Sequence, residues 1–177
     1  MIPRFGDGTL SAWIPRGLVE LGDERVGSPA PITRADGLCA LKVCWRDGRI
    51  VQVQPLVEGA EEPDGMLLPR LLEPHAHLDK AFSWSRYPNL SGTYAGAMAA
   101  NLREHQTRTV EVVQERFERA MELIWRHGLR AVRTHIDSLG PGAQCSWDAI
   151  LDGASRWQDR VTVQPVALVP VEHWGSS

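Results

Sequence analysis

The sequence lacks the features of a secreted, membrane-spanning or nucleic-acid-binding protein. Its 177 residues hold three cysteines (Cys39, Cys44 and Cys145) with no CxxC spacing, which argues against a disulfide framework and a cysteine-based zinc site. The formal net charge of -3 gives no basic surface for nucleic acid. No apolar run approaches the ~20 residues of a membrane span, and the N-terminus does not resemble a signal peptide. A cytoplasmic protein that binds neither membranes nor nucleic acids is predicted.

The first third of the chain has the composition of loops and short strands. Residues 1–37 are rich in Gly, Pro and charged residues, and two short apolar stretches, 10–14 and 18–21, predict short strands. A polar, acidic connection follows at 57–65, and the composition then shifts. We therefore expect a small β unit to end near residue 66.

A hairpin is predicted inside this unit. Two β-rich runs, LCALKVCW and IVQVQ, flank Asp47 and Gly48. Both residues tolerate the positive φ of a type I′ turn, so the pair is a strong hairpin signal. Val51 and Val53 alternate with glutamines, which predicts that the second strand is half-buried.

Three apolar runs after residue 66 predict the strands of a parallel sheet. The first is MLLPRLLEPHAH, the second is LRAVRTHID, and the third begins at Val161. Near-continuous apolar runs are typical of strands covered on both faces, as in a parallel sheet. Helical segments alternate with these runs, and this β-α-β-α-β order favours parallel pairing through crossovers.

Two helices are predicted, one between the first and second runs and one between the second and third. Residues 109–127 carry one apolar stripe, with Thr109 as the N-cap and Gly128 just beyond the C-terminal end. A second helix is predicted at 146–158, where we expect Gly153 to interrupt it. The stripe of the first helix consists of Val110, Val113, Phe117, Met121 and Ile124.

A histidine pair follows the first parallel strand, in the motif PHAHLDK. His75 and His77 are two positions apart, so on a strand both imidazoles point to the same face. Barrels of the α/β class place their active sites at the C-terminal ends of strands. Two imidazoles are half of a typical zinc or iron site. We therefore predict His75 and His77 as ligands of a divalent metal; the alternative is two unrelated histidines at a strand end.

The motifs resemble those of a known family. LLPRLLEPHAHLDKAF resembles the first barrel strand of the amidohydrolase superfamily, and its EPHxHLDK form is similar to the cytosine deaminase branch. AVRTHIDS resembles the second strand of that branch, and the resemblance covers about residues 38–170. It implies an α/β fold: a small β-sandwich portion in 1–66, then about three βα units of a partial metal-dependent hydrolase (TIM-type) barrel in 67–177.

The resemblance also implies an activity. Members hydrolyse a C–N bond of a small heterocyclic amine or cyclic amide, such as cytosine, with water activated by zinc or iron. Their other metal ligands and their proton-transferring Glu and His lie on later strands, which these 177 residues do not supply. We therefore expect a truncated chain that binds metal weakly and is inactive alone. It would need a complementing chain, or it would form a homo-oligomer.

The sequence leaves an alternative function open and does not identify the substrate. The alternative function is a non-catalytic remnant, or a partner-dependent subunit, of an amidohydrolase. The family's substrate-binding Gln has no match near the third strand, where the sequence reads LVPVEHW, so the substrate is not identified.

Other polar residues near the motifs have expected roles that are mainly structural. His135 is predicted to be a packed or hydrogen-bonded strand histidine, and the alternative is a side chain that points into the barrel mouth. Asp137, two residues on, could support the metal ligands. Asp79 and Lys80 are expected to pair or to bind nearby backbone. His127 is placed at a helix C-terminus.

Solvated positions are expected at His105, at Arg103 and Glu104, and at residues 111–119. Glu172 and His173 are expected in a disordered end.

Overall fold

The structure is a computed structural model that describes residues 6–19 and 30–174. The chain divides into two compact units, Met1–Pro69 and Arg70–Ser177. No helix among the described residues is long and apolar enough to cross a membrane.

The first unit contains a three-stranded antiparallel sheet. Its strands are β1 (Gly8–Pro15), β2 (Leu38–Arg46) and β3 (Arg49–Pro55), arranged in that order. The predicted strand at 10–14 lies within β1. Of the predicted strand at 18–21, Leu18 lies in a 3-10 turn, and residues 20 and 21 lie outside the described residues.

The hairpin prediction is confirmed, but the burial prediction for its second strand is wrong. Asp47 and Gly48 join β2 to β3 with φ values of 49° and 74°, as a type I′ turn requires. Val51 and Val53 of β3 are 58% and 36% exposed. An alternating pattern shows which residues share a face, but it does not show whether another element covers that face.

The second unit contains a parallel sheet flanked by helices. The strands β4 (Leu71–Ala76), β5 (Leu129–Asp137) and β6 (Thr162–Leu168) pair in chain order, and all three are parallel. This confirms the predicted parallel pairing. Over the described residues the sheet is open and has three strands, so the predicted barrel is not formed by them.

Three helices connect these strands. Between β4 and β5 lie α1 (Tyr94–His105) and α2 (Val110–Arg126), and between β5 and β6 lies α3 (Ala143–Trp157). The sequence patterns did not predict α1, whose face carries few apolar residues that pack inward.

The termini and stripe of α2 match the prediction. The Thr109 hydroxyl accepts a hydrogen bond from the backbone N of Val112, and Gly128 has a φ of 75° just beyond the end. The hydroxyl gives a partner to a backbone N–H that the start of a helix leaves unpaired, and the glycine adopts the left-handed backbone conformation that is common just beyond a helix end. The predicted stripe lies in the core: Val113, Phe117 and Met121 are buried, and Val110 and Ile124 pack against them.

Gly153 does not interrupt α3, contrary to the prediction. A Cβ at this position would lie 2.4 Å from Cε1 of Phe117 on α2. The glycine therefore allows the two helices to approach closely, and the packing gained offsets its low helix propensity.

One face of the parallel sheet packs on the helices and the other is open. Val132 and Ile136 of β5 are buried with residues of α2 and α3. In β4, Leu72 points to the open face and is 64% exposed, so the prediction that this strand is covered on both faces is wrong for the described residues. The apolar run predicted the strand correctly, but nothing in these residues packs on its second face.

Candidate metal centre at the strand ends

The predicted histidine pair lies at the C-terminal edge of the parallel sheet. His75 is in β4 and His77 directly follows it, and their ring centroids are 5.2 Å apart. The His135 ring, from β5, stacks on His75 with centroids 4.2 Å apart, and its centroid is 5.9 Å from that of His77. The fold therefore brings together three imidazoles, of which the sequence motif had identified two as ligands.

The backbone of β5 sets the protonation pattern of His77. Its Nδ1 lies 2.8 Å from the carbonyl oxygen of His135. A carbonyl oxygen only accepts hydrogen bonds, so Nδ1 carries the hydrogen and donates it. In the neutral ring the lone pair then lies on Nε2, which is the arrangement found in metal-binding histidines whose other nitrogen is held by a carbonyl.

The surroundings of His77 also favour its neutral form. Burial lowers the pKa of this imidazole, and the positive charge of Lys80 lowers the pKa further. The neutral ring is the form that can ligate a metal, because protonation would occupy the lone pair on Nε2.

The donor chemistry fits part of a zinc or iron site. Imidazoles suit both metals, and four ligands in all are usual for zinc. Nδ1 of His135 is buried and has no hydrogen-bond partner among the described residues. Across residues 6–19 and 30–174, however, no group of three or more His, Cys, Asp or Glu side chains is arranged to hold a metal. His75 and His77 are therefore candidates for a partial ligand set.

A carboxylate with many donors lies beside the histidines, at the end of β5. The Lys80 ammonium is 2.8 Å from each carboxylate oxygen of Asp137, and Nδ2 of Asn101 donates to Oδ2 at 3.0 Å. Nε2 of His105 lies 3.1 Å from the same oxygen. Burial alone would raise the pKa of Asp137, but the hydrogen bonds, with Lys80 the largest, lower it to about 2.

A second carboxylate, Asp79, is fully buried and contacts the backbone of Asp137. Its Oδ2 accepts hydrogen bonds from Nη1 of Arg108 at 3.0 Å and from the backbone N of Asp137 at 3.2 Å. Burial raises the pKa of Asp79, and the charge of Arg108 opposes that rise. The expectation that Asp79 and Lys80 pair or bind backbone agrees with these contacts.

The positions expected to be solvated on α1 and α2 include buried ones. His105 is 4% exposed and Glu104 is 1% exposed, so both expectations are wrong. Glu104 accepts hydrogen bonds from Arg108, with Nε at 2.9 Å, and from Arg116. Burial would raise the pKa of Glu104, but the hydrogen bonds from the two arginines lower it. Arg116 also departs from the solvated surface expected of residues 111–119, since its side chain is 11% exposed.

Sequence reasoning missed Arg108, which connects these elements. Its side chain has no exposed surface and contacts Asp79, Glu104 and Ser146, the last at 2.8 Å through Nη1. One signal was present, because Glu104 and Arg108 have the i, i+4 spacing of a helical ion pair. That spacing is common on solvated helices, so it did not indicate a buried pair.

The remaining candidates lie elsewhere. His127 is the C-terminal cap residue of α2, as predicted. Glu172 and His173, expected in the terminal segment, lie in a short 3-10 helix, Val171–Trp174, that follows β6.

Comparison with known proteins supports the class indicated by the fold and motifs. No family model matches the chain. Its sequence and fold are related to those of deaminases of the amidohydrolase superfamily, over their N-terminal part. The resemblance carried by the EPHAHLDK and VRTHID motifs is thereby confirmed.

The relatives themselves are a pterin deaminase and a 5-methylcytosine deaminase. The chain is 30% identical over 145 residues to the pterin deaminase of Rhizobium rhizogenes, covering 78% of this chain and 33% of that protein. Crystal structures of 5-methylcytosine deaminase from Klebsiella pneumoniae were solved with 5-fluorocytosine and with phosphonocytosine. They superpose with TM-scores of 0.61 and 0.58 at 22% and 24% identity. The alignments cover 72% and 78% of this chain, and 33% and 35% of those chains, so this chain spans about a third of its relatives' length.

Proposed function

We propose that this chain forms the N-terminal part of a metal-dependent hydrolytic deaminase. The reaction replaces an amino group on a small heterocycle, pterin-like or cytosine-like, with an oxo group and releases ammonia. One observation carries this proposal: a chain 30% identical to a pterin deaminase has His75 and His77 at the C-terminal edge of its parallel sheet, where His77 presents Nε2.

The residues of the chain have defined parts in the proposed site. A bound zinc or iron ion supplies a Lewis acid that makes water a stronger nucleophile at neutral pH. His77 would hold the metal through Nε2, oriented by the carbonyl of His135, and His75 would bind beside it. Asp137 stays ionised near the pair, since its pKa is about 2, and it engages the ammonium of Lys80.

The other parts of the site are proposed to come from protein outside these residues. These parts are the further metal ligands, the groups that carry protons to the leaving amine, and the strands that close a barrel. They are supplied either by the same polypeptide or by a complementing chain. Leu72 on β4 and Leu168 on β6 are 64% and 41% exposed on the same face of the sheet, and they favour a protein surface that packs there. The cytoplasm is the proposed location, since Cys39, Cys44 and Cys145 are free thiols.

Metal binding by the chain itself tests the proposed ligands. Co²⁺ is titrated into the purified chain at pH 7.5 and followed by its visible absorption and by calorimetry. We expect weak binding that His77→Asn and His75→Asn each remove. His127→Asn, at an exposed helix end, is the matched control and should bind as the unchanged chain does. Equal Co²⁺ affinity for His77→Asn and the unchanged chain would exclude these ligands.

Turnover is tested in a complemented enzyme. The chain replaces the matching N-terminal segment of the Rhizobium rhizogenes pterin deaminase, and ammonia release is measured with pterin, cytosine and 5-methylcytosine. We expect ammonia release from at least one ring, lost on His77→Asn and kept on His127→Asn. A folded, metal-loaded hybrid that releases no ammonia from any of them would favour the alternative, a non-catalytic remnant or subunit.

A further inference from the structure

The two sequence motifs at the strand ends are bonded to each other residue by residue. The His77 ring donates from Nδ1 to the carbonyl of His135 at 2.8 Å. The next backbone N, of Leu78, donates to the buried Oγ1 of Thr134 at 3.0 Å. These two bonds therefore fix which residues of β5 lie beside the turn that follows the histidine pair.

The next two residues of the turn extend this set of bonds. Oδ2 of Asp79 accepts from the backbone N of Asp137 at 3.2 Å, and the Lys80 ammonium reaches both carboxylate oxygens of Asp137 at 2.8 Å. His77, Leu78, Asp79 and Lys80 thus each bond to the end of β5. All four contacts use a side-chain atom, which a parallel strand pair does not need for its own ladder.

The network is then anchored from α1, from α2 and from the connection between these two helices. Arg108 binds Asp79 through Nη1 at 3.0 Å and Glu104 through Nε at 2.9 Å. Arg116 donates to the carbonyl oxygen of Asp79 at 3.2 Å. The buried carboxylates and cations balance in charge, because Asp79, Glu104 and Asp137 oppose Lys80, Arg108 and Arg116.

Such a cluster is a costly way to obtain stability. Buried ion pairs lose most of their attraction to desolvation, and apolar packing of similar volume often serves as well. Their directional bonds do fix relative positions, and those from Arg108, Arg116 and Asp137 converge on the turn that starts at His77. In metal sites, the groups that form hydrogen bonds with a ligating histidine fix the direction of its ring in this way.

From this convergence we infer that Lys80, Asp137, Asp79 and Arg108 are positioning residues. They hold the turn after His77 against β5, so that Nδ1 of His77 meets the carbonyl of His135 and Nε2 keeps a fixed direction. The inference rests on the proposed function in taking His77 as a metal ligand. The position and tautomer of the ring can be measured without any metal.

Lys80 offers the sharpest test because its side chain is 23% exposed and can be replaced with little disturbance of the core. Lys80→Met removes the bonds to Asp137, and Lys80→Arg keeps a cation that can bind both oxygens. Phe117→Leu is the control: it weakens the core on α2, and its side chain has no group that could form a hydrogen bond of the network. Its loss of melting temperature is compared with that of Lys80→Met.

The tautomer is read by long-range ¹H–¹⁵N spectra of the histidine rings at pH 8, without metal. We expect a single His77 form with hydrogen on Nδ1 in the unchanged chain, in Lys80→Arg and in Phe117→Leu. In Lys80→Met we expect a mixture of both tautomers. An unmixed His77 tautomer in Lys80→Met would overturn the inference.

Co²⁺ affinity gives the second readout. Loss of a group that orients a ligand typically weakens metal binding by about ten- to a hundredfold. We expect that change for Lys80→Met and no change for Lys80→Arg or Phe117→Leu; equal weakening in Phe117→Leu would mean that only stability is involved. If the unchanged chain binds no Co²⁺, the proposed ligand role fails, and the tautomer spectra alone still decide the positioning role.

Discussion

The ammonium of Lys80 lies 2.8 Å from both carboxylate oxygens of Asp137. This pair joins the turn after the histidines to the end of the neighbouring strand. Its carboxylate also receives Asn101 and His105, and Arg108 lies 3.7 Å away. Stability and site geometry therefore depend on the same small set of contacts, and several predictions concern them.

Acid should weaken the folded protein through Asp137. Its pKa is about 2 in the folded chain, below its ordinary value of 3.8, so its contribution is present above pH 4 and is lost as the pH falls from 4 towards 2. The shift corresponds to about 2 kcal/mol of unfolding free energy. Urea unfolding at pH 5, 4, 3 and 2 measures this loss.

The matched variant isolates that carboxylate. Asp137→Asn should be less stable at pH 5 and should lose less stability between pH 4 and 2 than the unchanged chain. Asp152→Asn, whose partner Arg156 is exposed, should keep the acid dependence of the unchanged chain. Identical pH slopes for Asp137→Asn and the unchanged chain would contradict the assignment.

Removing Arg108 should destabilise the protein far more than removing an exposed arginine. Arg108→Met leaves Asp79 and Glu104 buried without their main cation, a change that costs about 3–5 kcal/mol. Arg156→Met breaks pairs with Glu118 and Asp152 at a side chain that is 44% exposed, and such pairs contribute about 0–1 kcal/mol. Chemical denaturation of both variants compares the two costs; similar values would argue against a buried network.

A methyl group at Gly153 should disturb the contact between α2 and α3. Gly153→Ala places a Cβ 2.4 Å from the ring of Phe117, and overpacking of this kind costs about 1–3 kcal/mol. In a Phe117→Leu background the same change should cost less, because the smaller side chain leaves room. Thermal melts of the two single variants and the double variant give the coupling, and purely additive effects would contradict this packing.

Thr109 should stabilise the start of α2 through its hydroxyl. Thr109→Ala removes the acceptor for the backbone N of Val112 and should lower stability by about 1 kcal/mol. Thr109→Ser keeps the acceptor and should retain most of that stability. Urea denaturation followed by circular dichroism measures both; a Ser variant as weak as the Ala variant would mean that the cap is not the cause.

Local patterns in the sequence were sufficient for the elements with strong signals. The Asp47-Gly48 turn, the stripe and caps of α2, and the three parallel strands depend on backbone propensity and short-range spacing, which the chain carries within a few residues. The histidine pair was also found, because a two-residue spacing on a strand places both rings on one face.

Contacts between distant residues escaped those patterns. Glu104, His105 and Arg108 carry charges or polar rings that usually face solvent, and their burial depends on partners as far along the chain as Asp79 and Asp137. The prediction that Gly153 interrupts α3 was wrong for the same reason, because the glycine makes room for Phe117 of another helix.

The sequence by itself determined that a β-rich hairpin precedes a parallel β/α unit and that two histidines stand at the end of its first strand. The tertiary structure alone decided that His135 joins them, that its carbonyl directs the lone pair of His77 to Nε2, and that a charge-balanced network holds the turn in place. The physical reason is range: propensity and periodicity act over neighbouring residues, whereas hydrogen bonds and desolvation depend on which residues the fold brings together.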